Sequence, residues 1–230
     1  MESDLIILYQ DDHFIAINKP AGIFVHRTKL AFQEKSCMQI LRNQLNLWVY
    51  PVHRLDRATS GALLFALNPK AASKISNLFQ QRKVNKKYIA VVRGFTEKTE
   101  VLNYPIRNDK NKNPVEAITY YKLKSTIELK HPVGRYQTAR YSLVEIKPET
   151  GRRHQIRKHF ARISHPIIGD VSYGDGAHNH FFRDHFGLNR LMLFAISVGF
   201  EHPYSKKSIS IRAKLPTDIN ELLKLFQYES

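Results

Sequence analysis

Residues 53–61 have the sequence HRLDRATSG, which is the densest polar cluster of the chain. Apolar stretches flank this cluster on both sides, so we expect it to form a turn at the end of a strand. Within it, Arg54 and Arg57 stand on either side of Asp56. Guanidinium groups that face a carboxylate favour its ionised form, which suits a nucleophile or a base better than a general acid. By itself, however, the pattern is more typical of an ordinary ion pair in a turn.

A second polar cluster, TGRRHQIRKH, spans residues 150–159. Apolar residues recur at i, i+4 and i+7 from Ile156, which predicts a helix that opens at Thr150 and buries one face. Its first turn offers backbone amides and the guanidinium groups of Arg152 and Arg153, and both kinds of donor suit phosphate. A solvated basic helix face has the same sequence pattern, so the two interpretations overlap.

Between and around these clusters, strand patterns interleave with helix patterns. Strands are predicted at Leu5–Tyr9, Phe14–Asn18, Lys86–Gly94 and Tyr136–Lys147. A helix is predicted after Asn68 as its cap and Pro69 in its first turn, and residues 107–114 are expected to form a projecting loop. Because regular βαβ alternation is missing, we expect an α+β fold with a mixed, mainly antiparallel sheet flanked by helices and loops.

The charge of the chain narrows the class of partner. It has 36 Lys and Arg against 20 Asp and Glu, a formal net charge of +16. Such an excess attracts polyanions through its long-range field and through counterion release from phosphates. An anionic membrane would attract it too, but the sequence has no apolar run near the roughly 20 residues of a spanning helix and no amphipathic basic tail. Nucleic acid is therefore the expected partner, and no membrane association is expected.

The termini and the cysteine content indicate the compartment. The N-terminus lacks the basic-then-apolar layout of a signal peptide. Cys37 is the only cysteine, which excludes an internal disulfide and a thiolate metal cluster, and it is expected to be a small apolar filler. We therefore expect a cytoplasmic protein. Its 230 residues fit one domain, or one core with two lobes, and we expect a single catalytic domain over residues 1–230.

A group of histidines raises the possibility of a metal site. His178, His180 and His185 lie close together, with Asp184 beside them. They are expected in a loop that contains Gly and Asn, and no HExxH or Cys-His spacing accompanies them. We therefore expect no metal site.

Other common chemistries lack their motifs. Neither GxxxxGK[ST] nor GxGxxG occurs, so no nucleotide cofactor is expected. There is no GxSxG, and Ser60 has only His53 nearby as a base, which disfavours a hydrolase.

Taken in order, four stretches resemble the four signature stretches of the RluA-type pseudouridine synthases. They are INKPAG at 17–22, HRLDRATSG at 53–61, KKYIAVVRG at 86–94 and TGRRHQIRKHFARISHPIIGD at 150–170. The resemblance implies the catalytic-core fold of that family and the isomerisation of uridine to pseudouridine in RNA without a cofactor. The reaction breaks the bond from ribose C1′ to uracil N1 and joins C1′ to C5, so the target base must leave the helical stack.

The resemblance also implies roles for the matching residues. Asp56 corresponds to the essential carboxylate, and attack on C1′, attack on the base and removal of a ribose proton all remain open. Tyr88 corresponds to the tyrosine that stacks on the base and is a candidate to take the C5 proton. Arg157 corresponds to the arginine that pairs with the carboxylate, and Arg54 resembles the side chain that fills the space of the extruded base. The remaining basic residues expected to contact RNA are Lys19, Arg57, Arg152 and Arg153.

Further stretches resemble a tRNA-directed branch of the family. They are GRYQTARY at 134–141, the HPIIGD run, and HFGLNRLML at 185–193. This implies a tRNA substrate, with uridine 65 in the T-stem as the target, and we expect a monomer. Because the first signature starts at Ile17, we expect no N-terminal S4-type RNA-binding domain. Two alternatives stay open: an rRNA-directed synthase of the same family, and a non-catalytic RNA-binding module, which would have no need of Asp56.

Overall fold

The computed structural model describes residues 4–26, 35–107, 111 and 113–228. Within these ranges the protein is α+β, as expected from the sequence, with mostly antiparallel strands and five helices. The strands are β1 (Ile6–Gln10), β2 (Phe14–Lys19), β3 (Tyr50–Pro51), β4 (Ser60–Ala66), β5 (Asn85–Arg93), β6 (Thr99–Asn103), β7 (Ile106–Arg107), β8 (Pro114–Val115), β9 (Ile118–Leu129), β10 (Ala139–Pro148), β11 (Leu193–Glu201) and β12 (Ser208–Arg212). The helices are α1 (Cys37–Leu45), α2 (Pro69–Gln80), α3 (Gln155–Arg162), α4 (Gly176–Phe186) and α5 (Thr217–Lys224).

The chain divides into two compact units. Unit 1 takes Met1–Lys86 and Ala195–Lys214, and unit 2 takes Lys87–Phe194 and Leu215–Ser230. In the described ranges, no helix combines the length and the apolar character that a membrane crossing requires.

Unit 1 is built around strand β4, which is buried at every position. Strand β2 lies antiparallel between β1 and β4, and its register places Phe14 opposite Ala66 and Lys19 opposite Gly61. Helix α2 packs Ile75 onto this core. The helix begins as predicted, because the Asn68 side chain accepts a hydrogen bond of 2.8 Å from the Ala71 N–H. The end of β2 and the start of β4 thus come together at the HRLDRATSG segment.

Unit 2 has β10 as its central strand, paired antiparallel with β5 and with β9. Strand β6 extends this arrangement at the outer side of β9. The two long strands β9 and β10 form a hairpin. Helix α3 buries Ile156 and Phe160, as their spacing predicted.

Helix α3 begins at Gln155, not at Thr150, so the predicted start of this helix was wrong. The Thr150 hydroxyl does not cap the helix: it accepts from the Ile118 N–H at 2.9 Å and donates to the Gln155 side chain at 2.7 Å. His154, at φ +54, then turns the chain into the helix. Tertiary bonds to strand β9 therefore outweighed the local capping preference of threonine.

Two other expectations concern loops. The histidines at 178, 180 and 185 were expected in a loop, but they lie on helix α4. The Asp175 carboxylate caps this helix by accepting from the N–H groups of Ala177 and His178. Of the projecting loop expected at 107–114, residues 108–110 and 112 lie outside the described residues, and β7 and β8 on its two sides pair antiparallel.

Candidate active site

In unit 1, the HRLDRATSG segment forms a tight turn that leads into β4. The Thr59 N–H donates to the Asp56 carbonyl at 3.1 Å, which closes the turn. Leu55 is buried and anchors the segment, Asp56 is half-buried, and Arg54 is exposed. A carboxylate in this setting is fixed by its backbone and still reachable from solvent. An exposed Arg54 is compatible with its expected entry into RNA, which remains a prediction.

A buried lysine holds this turn. Lys19 has no exposed surface, and its Nζ donates to the carbonyls of Pro20 at 2.9 Å, Arg57 at 3.1 Å and Thr59 at 2.8 Å. The ammonium thus joins the INKPAG segment to Arg57 and Thr59, the first and third residues after Asp56. We expected Lys19 to contact RNA. In this structure the Lys19 side chain has no exposed surface and holds the turn, and contact between Lys19 and RNA remains a prediction.

Arg57 is exposed and spans the same two segments from outside. Its Nε donates to the Gly22 carbonyl at 2.8 Å, and its guanidinium lies 4.9 Å from the centre of the Phe24 ring. In return, the Arg57 carbonyl accepts from the Gly22 N–H at 2.9 Å. RNA contact by Arg57 remains a prediction that its exposure allows.

Gly61, the glycine of the TSG triplet, lies where there is no space for a side chain. Gly61 adopts φ +117, and a Cβ at this position would lie 2.2 Å from the carbonyl oxygen of Ala195. Because β11 approaches this closely, no side chain fits at position 61.

His53 supports the turn and is not placed to act as a base. Its Nε2 accepts from the Leu64 N–H at 2.9 Å, and its ring stacks on Phe79 with centroids 5.0 Å apart. Desolvation and the nearby Lys86 charge lower the pKa of His53 to about 3. Burial likewise lowers the pKa of Lys86, to about 8. Since Nε2 is engaged with the backbone, Ser60 loses the base that a hydrolase would need.

In unit 2, Tyr88 lies on β5 opposite Ile146 of β10 and is 9% exposed. The same unit holds the buried Arg157 of α3. Its Nε and Nη2 donate to the two carboxylate oxygens of Asp170, each at 2.7 Å. Asp170 closes the HPIIGD run, and its pairing with Arg157 in the same unit was not predicted. Any second carboxylate bound by Arg157 would therefore have to meet the other end of its guanidinium.

The loop after Asp170 is organised around this ion pair. One Asp170 oxygen accepts from the N–H groups of Ser172 at 2.9 Å and Tyr173 at 3.0 Å. Burial raises the pKa of Asp170, but the bonds from Arg157 and from these amides lower it further, so the net pKa lies below the ordinary value. The Tyr173 ring lies 5.1 Å from the Arg157 guanidinium, and its hydroxyl lies 3.0 Å from Nδ1 of His154. Arg157 is thus held on two sides.

Two further arginines lie at the start of α3. Arg152 and Arg153 are both exposed, and Nε of Arg152 donates to the Glu116 carbonyl at 2.9 Å. Buried Gln155 fixes this segment, because its carbonyl oxygen accepts from the Arg152 N–H at 3.0 Å and its amide donates to the Ile118 carbonyl at 2.9 Å. Unit 1 therefore carries Lys19, Arg54, Asp56 and Arg57, and unit 2 carries Tyr88, Arg152, Arg153 and Arg157.

Two of the three histidines of α4, His178 and His185, contact neighbouring side chains or backbone, and His180 is exposed. His178 is buried, and its Nδ1 lies 2.9 Å from the Tyr141 hydroxyl. Nδ1 of His185 lies 3.2 Å from the Phe181 carbonyl oxygen. Across the part of the chain that the structure describes, no group of three or more His, Cys, Asp or Glu side chains is arranged to hold a metal ion. Cys37 is buried, as expected for an apolar filler.

Known proteins resemble this chain over nearly all of its length. Residues 13–162 match the family model of RNA pseudouridylate synthase. The protein named tRNA pseudouridine synthase C of Vibrio cholerae is 42% identical, with 98% of this chain and 97% of the relative covered. Its namesake in Haemophilus influenzae is 44% identical, with 98% and 99% covered.

Two solved human structures have a similar fold. Human RNA Pseudouridylate Synthase Domain Containing 1 is 28% identical with a TM-score of 0.71, covering 94% of this chain and 87% of its own. Human RNA Pseudouridylate Synthase Domain Containing 4 is 25% identical with a TM-score of 0.75, covering 98% and 94%.

Proposed function

Because this chain belongs to the RNA pseudouridylate synthase family and is an isomerase of that family, we propose that its substrate is tRNA and its target uridine 65 in the T-stem. The observation that carries the tRNA assignment is the near-full-length similarity to bacterial relatives whose names specify tRNA. An rRNA-directed synthase of the same family is the second candidate, since the signature stretches alone do not name an RNA.

We propose that Asp56 supplies the essential carboxylate. It lies in a turn fixed by Lys19 from within and by Arg57 from outside, and it stays half-exposed. A carboxylate held in this way loses little conformational freedom when the target nucleotide arrives, which favours reaction. During the reaction the C1′–N1 bond breaks, the uracil rotates, C1′ joins C5, and the proton released from C5 balances the proton gained at N1.

The other roles are proposals of the same kind. Tyr88, almost buried in β5, stacks on the flipped base and is the candidate to receive the C5 proton. Arg157 contributes a fixed positive charge, whose orientation Asp170 and Tyr173 set. Arg54, exposed in the turn, fills the gap that the extruded base leaves, for which a planar guanidinium suits stacking.

We further propose a cytoplasmic monomer that works as one catalytic domain. The family match begins in the sequence of unit 1 and ends in that of unit 2, which supports a single catalytic module. Light scattering of the purified protein, free and with tRNA, measures the oligomeric state, and a dimer would contradict it.

The test offers unmodified tRNA and unmodified large-subunit rRNA together, then maps pseudouridine in both. We expect modification of the T-stem by the wild type and none by Asp56→Asn, although the variant still binds tRNA. Asp12→Asn, which removes an exposed carboxylate elsewhere in unit 1, is the matched control and should retain full activity. Pseudouridine in rRNA alone would make the tRNA assignment wrong, and activity of Asp56→Asn would remove Asp56 from the mechanism.

A further inference from the structure

The GRYQTARY stretch forms the tip of the hairpin between β9 and β10. We call residues 130–138 the hairpin tip. Val133 and Tyr136 exchange two backbone hydrogen bonds, of 3.0 and 3.3 Å, around a turn made by Gly134 and Arg135. Gly134 adopts φ +60, which such a tight turn requires and glycine tolerates. Because the backbone is hydrogen-bonded next to the turn, the side chains of the tip project from an ordered backbone.

An exposed aromatic ring stands on this backbone beside an arginine. Tyr136 is 57% exposed. The Arg135 guanidinium lies 5.1 Å from the centre of the Tyr136 ring, and its Nη2 donates to the Tyr136 hydroxyl at 2.9 Å. An arginine that only shielded an apolar ring would leave less of the ring in water. Tyr136 thus keeps more than half of its surface in solvent beside a cation.

A second pair of an aromatic ring and an arginine lies at the base of the tip, and its arginine, Arg140, also forms an ion pair with Glu128 at 3.1 Å. Phe95 is 43% exposed, and the Arg140 guanidinium lies 5.3 Å from its ring centre. The Gly94 N–H donates to the Arg140 carbonyl at 2.7 Å, which joins the two segments. From residue 128 to residue 140 the chain carries three Lys or Arg against one carboxylate, Glu128, so this end of the hairpin is net positive.

The tip lies far from Tyr88 of β5 when the distance is measured along the neighbouring strand β10. Tyr88 is opposite Ile146, and Tyr136 precedes Ile146 by ten positions. With a rise of about 3.3 Å per residue, the separation along the strand is about 30 Å. Base pairs of B-DNA are about 3.4 Å apart along the axis and those of A-form RNA are closer, so this distance corresponds to at least about nine base pairs. A nucleotide bound at Tyr88 is therefore out of reach of the tip, which has to meet a different part of the RNA.

We propose that the hairpin tip is a second RNA-binding site, in which Tyr136 stacks on an unpaired base of the substrate tRNA and Arg135 contacts a neighbouring phosphate. Open aromatic faces beside guanidinium groups are the means by which proteins bind unpaired nucleotides. The proposal rests on the proposed tRNA substrate, because it requires an RNA that extends about nine base pairs beyond the target. In this proposal the tip contacts whole tRNA and does not contact an isolated stem.

The test compares two RNAs and four variants. The RNAs are whole tRNA and an isolated T-arm hairpin, whose stem of about five base pairs spans only about 17 Å. The variants are Tyr136→Ala, Tyr136→Phe, Arg135→Ala and, as a control for charge loss on unit 1, Lys70→Ala. Dissociation constants are measured at several salt concentrations, together with single-turnover rates at saturating RNA and the thermal unfolding of each variant.

We expect Tyr136→Ala to bind whole tRNA at least about fivefold more weakly, with T-arm binding and the saturating rate unchanged. Tyr136→Phe should retain the wild-type affinity, because it keeps the ring. Arg135→Ala should lower the salt slope for tRNA by about 0.7 to 0.9 unit more than Lys70→Ala does.

Equal tRNA affinity of Tyr136→Ala and wild type, or equal losses for both RNAs, would overturn the hairpin-tip site. Failure of the proposed function has a different signature, a T-stem that the wild type leaves unmodified. In that event the tRNA affinities of the variants still test whether the hairpin tip binds tRNA, because binding does not depend on turnover.

Discussion

The Arg157–Asp170 pair allows a quantitative prediction for Asp170→Asn. The Arg157 and Asp170 side chains are 7% and 1% exposed, so little water can compensate for the lost charge. Asparagine keeps an oxygen for the N–H groups of Ser172 and Tyr173, but its amide nitrogen would face the guanidinium. Breaking one side of a buried ion pair typically costs about 3–5 kcal/mol. For a chain of this size we expect a fall in Tm of about 6–20 °C.

A matched control is available in the same unit. Asp175 pairs with Arg93, but their side chains are 28% and 34% exposed. Asparagine also caps helices well, so Asp175→Asn should keep the cap of α4. We expect this variant to lose no more than about 1 kcal/mol, as for other exposed pairs. Urea unfolding followed by circular dichroism at pH 7 measures both variants against the wild type.

The pH dependence of the difference has a definite sign. The folded-state pKa of Asp170 is lowered, so its contribution to stability is complete above the unfolded-state pKa, about 4. That contribution is lost as the pH falls through the folded-state pKa. The gap between wild type and Asp170→Asn should therefore be constant near neutrality and shrink in acid. A variant within 1 kcal/mol of the wild type at pH 7, or a gap that widens below pH 4, would refute the reasoning.

Three further predictions concern the site. Lys19→Met should lower Tm, because the Pro20 and Thr59 carbonyls each lose a donor worth about 1–3 kcal/mol. The salt slope of RNA binding should not change in this variant. A slope reduced by about one unit would show instead that Lys19 contacts a phosphate. Arg157→Ala should reduce the single-turnover rate at saturating RNA with little change in salt slope, whereas a defect confined to binding would make it a phosphate contact. Activity should survive exhaustive chelation in the absence of added nucleotide. Loss of activity that a transition metal restores and Mg²⁺ does not would contradict this prediction.

The parts of the fold that depend on local pattern could be predicted from sequence. Strands β1 and β2 were expected within one residue of their observed starts, since apolar alternation marks them, and α2 was expected from its Asn68 cap. Helix α3 was expected five residues too early, because Thr150 bonds to a strand more than thirty residues away in sequence. Helix α4 was missed, because its Gly and Asn content suggested a loop while its actual determinants are the Asp175 cap and buried Phe side chains.

In the candidate site, too, some features could be predicted from the sequence and others depend on tertiary contacts. The identity of Asp56, Tyr88 and Arg157 came from motif resemblance, which needs no coordinates. The burial of Lys19 could not be predicted in this way, because a lysine in a basic signature has the same letter whether it faces phosphate or three carbonyls. The pairing of Arg157 with Asp170 joins residues thirteen positions apart through a loop whose course no periodicity specifies.

His53 determines how kinetic titrations of this enzyme should be interpreted. With a pKa of about 3 in the folded protein, its ring stays neutral across the range in which such enzymes are assayed. The Leu64 N–H therefore keeps its acceptor, and the His53 ring has the same protonation at pH 5 as at pH 8, whereas the neighbouring Lys86, with a pKa of about 8, loses its charge toward the upper end of this range. Any inflection of the pH–rate profile in that interval reports a group other than the signature histidine. The unfolded chain, by contrast, takes up a proton at this histidine below about pH 6.5, so acid weakens the fold before it alters the turn.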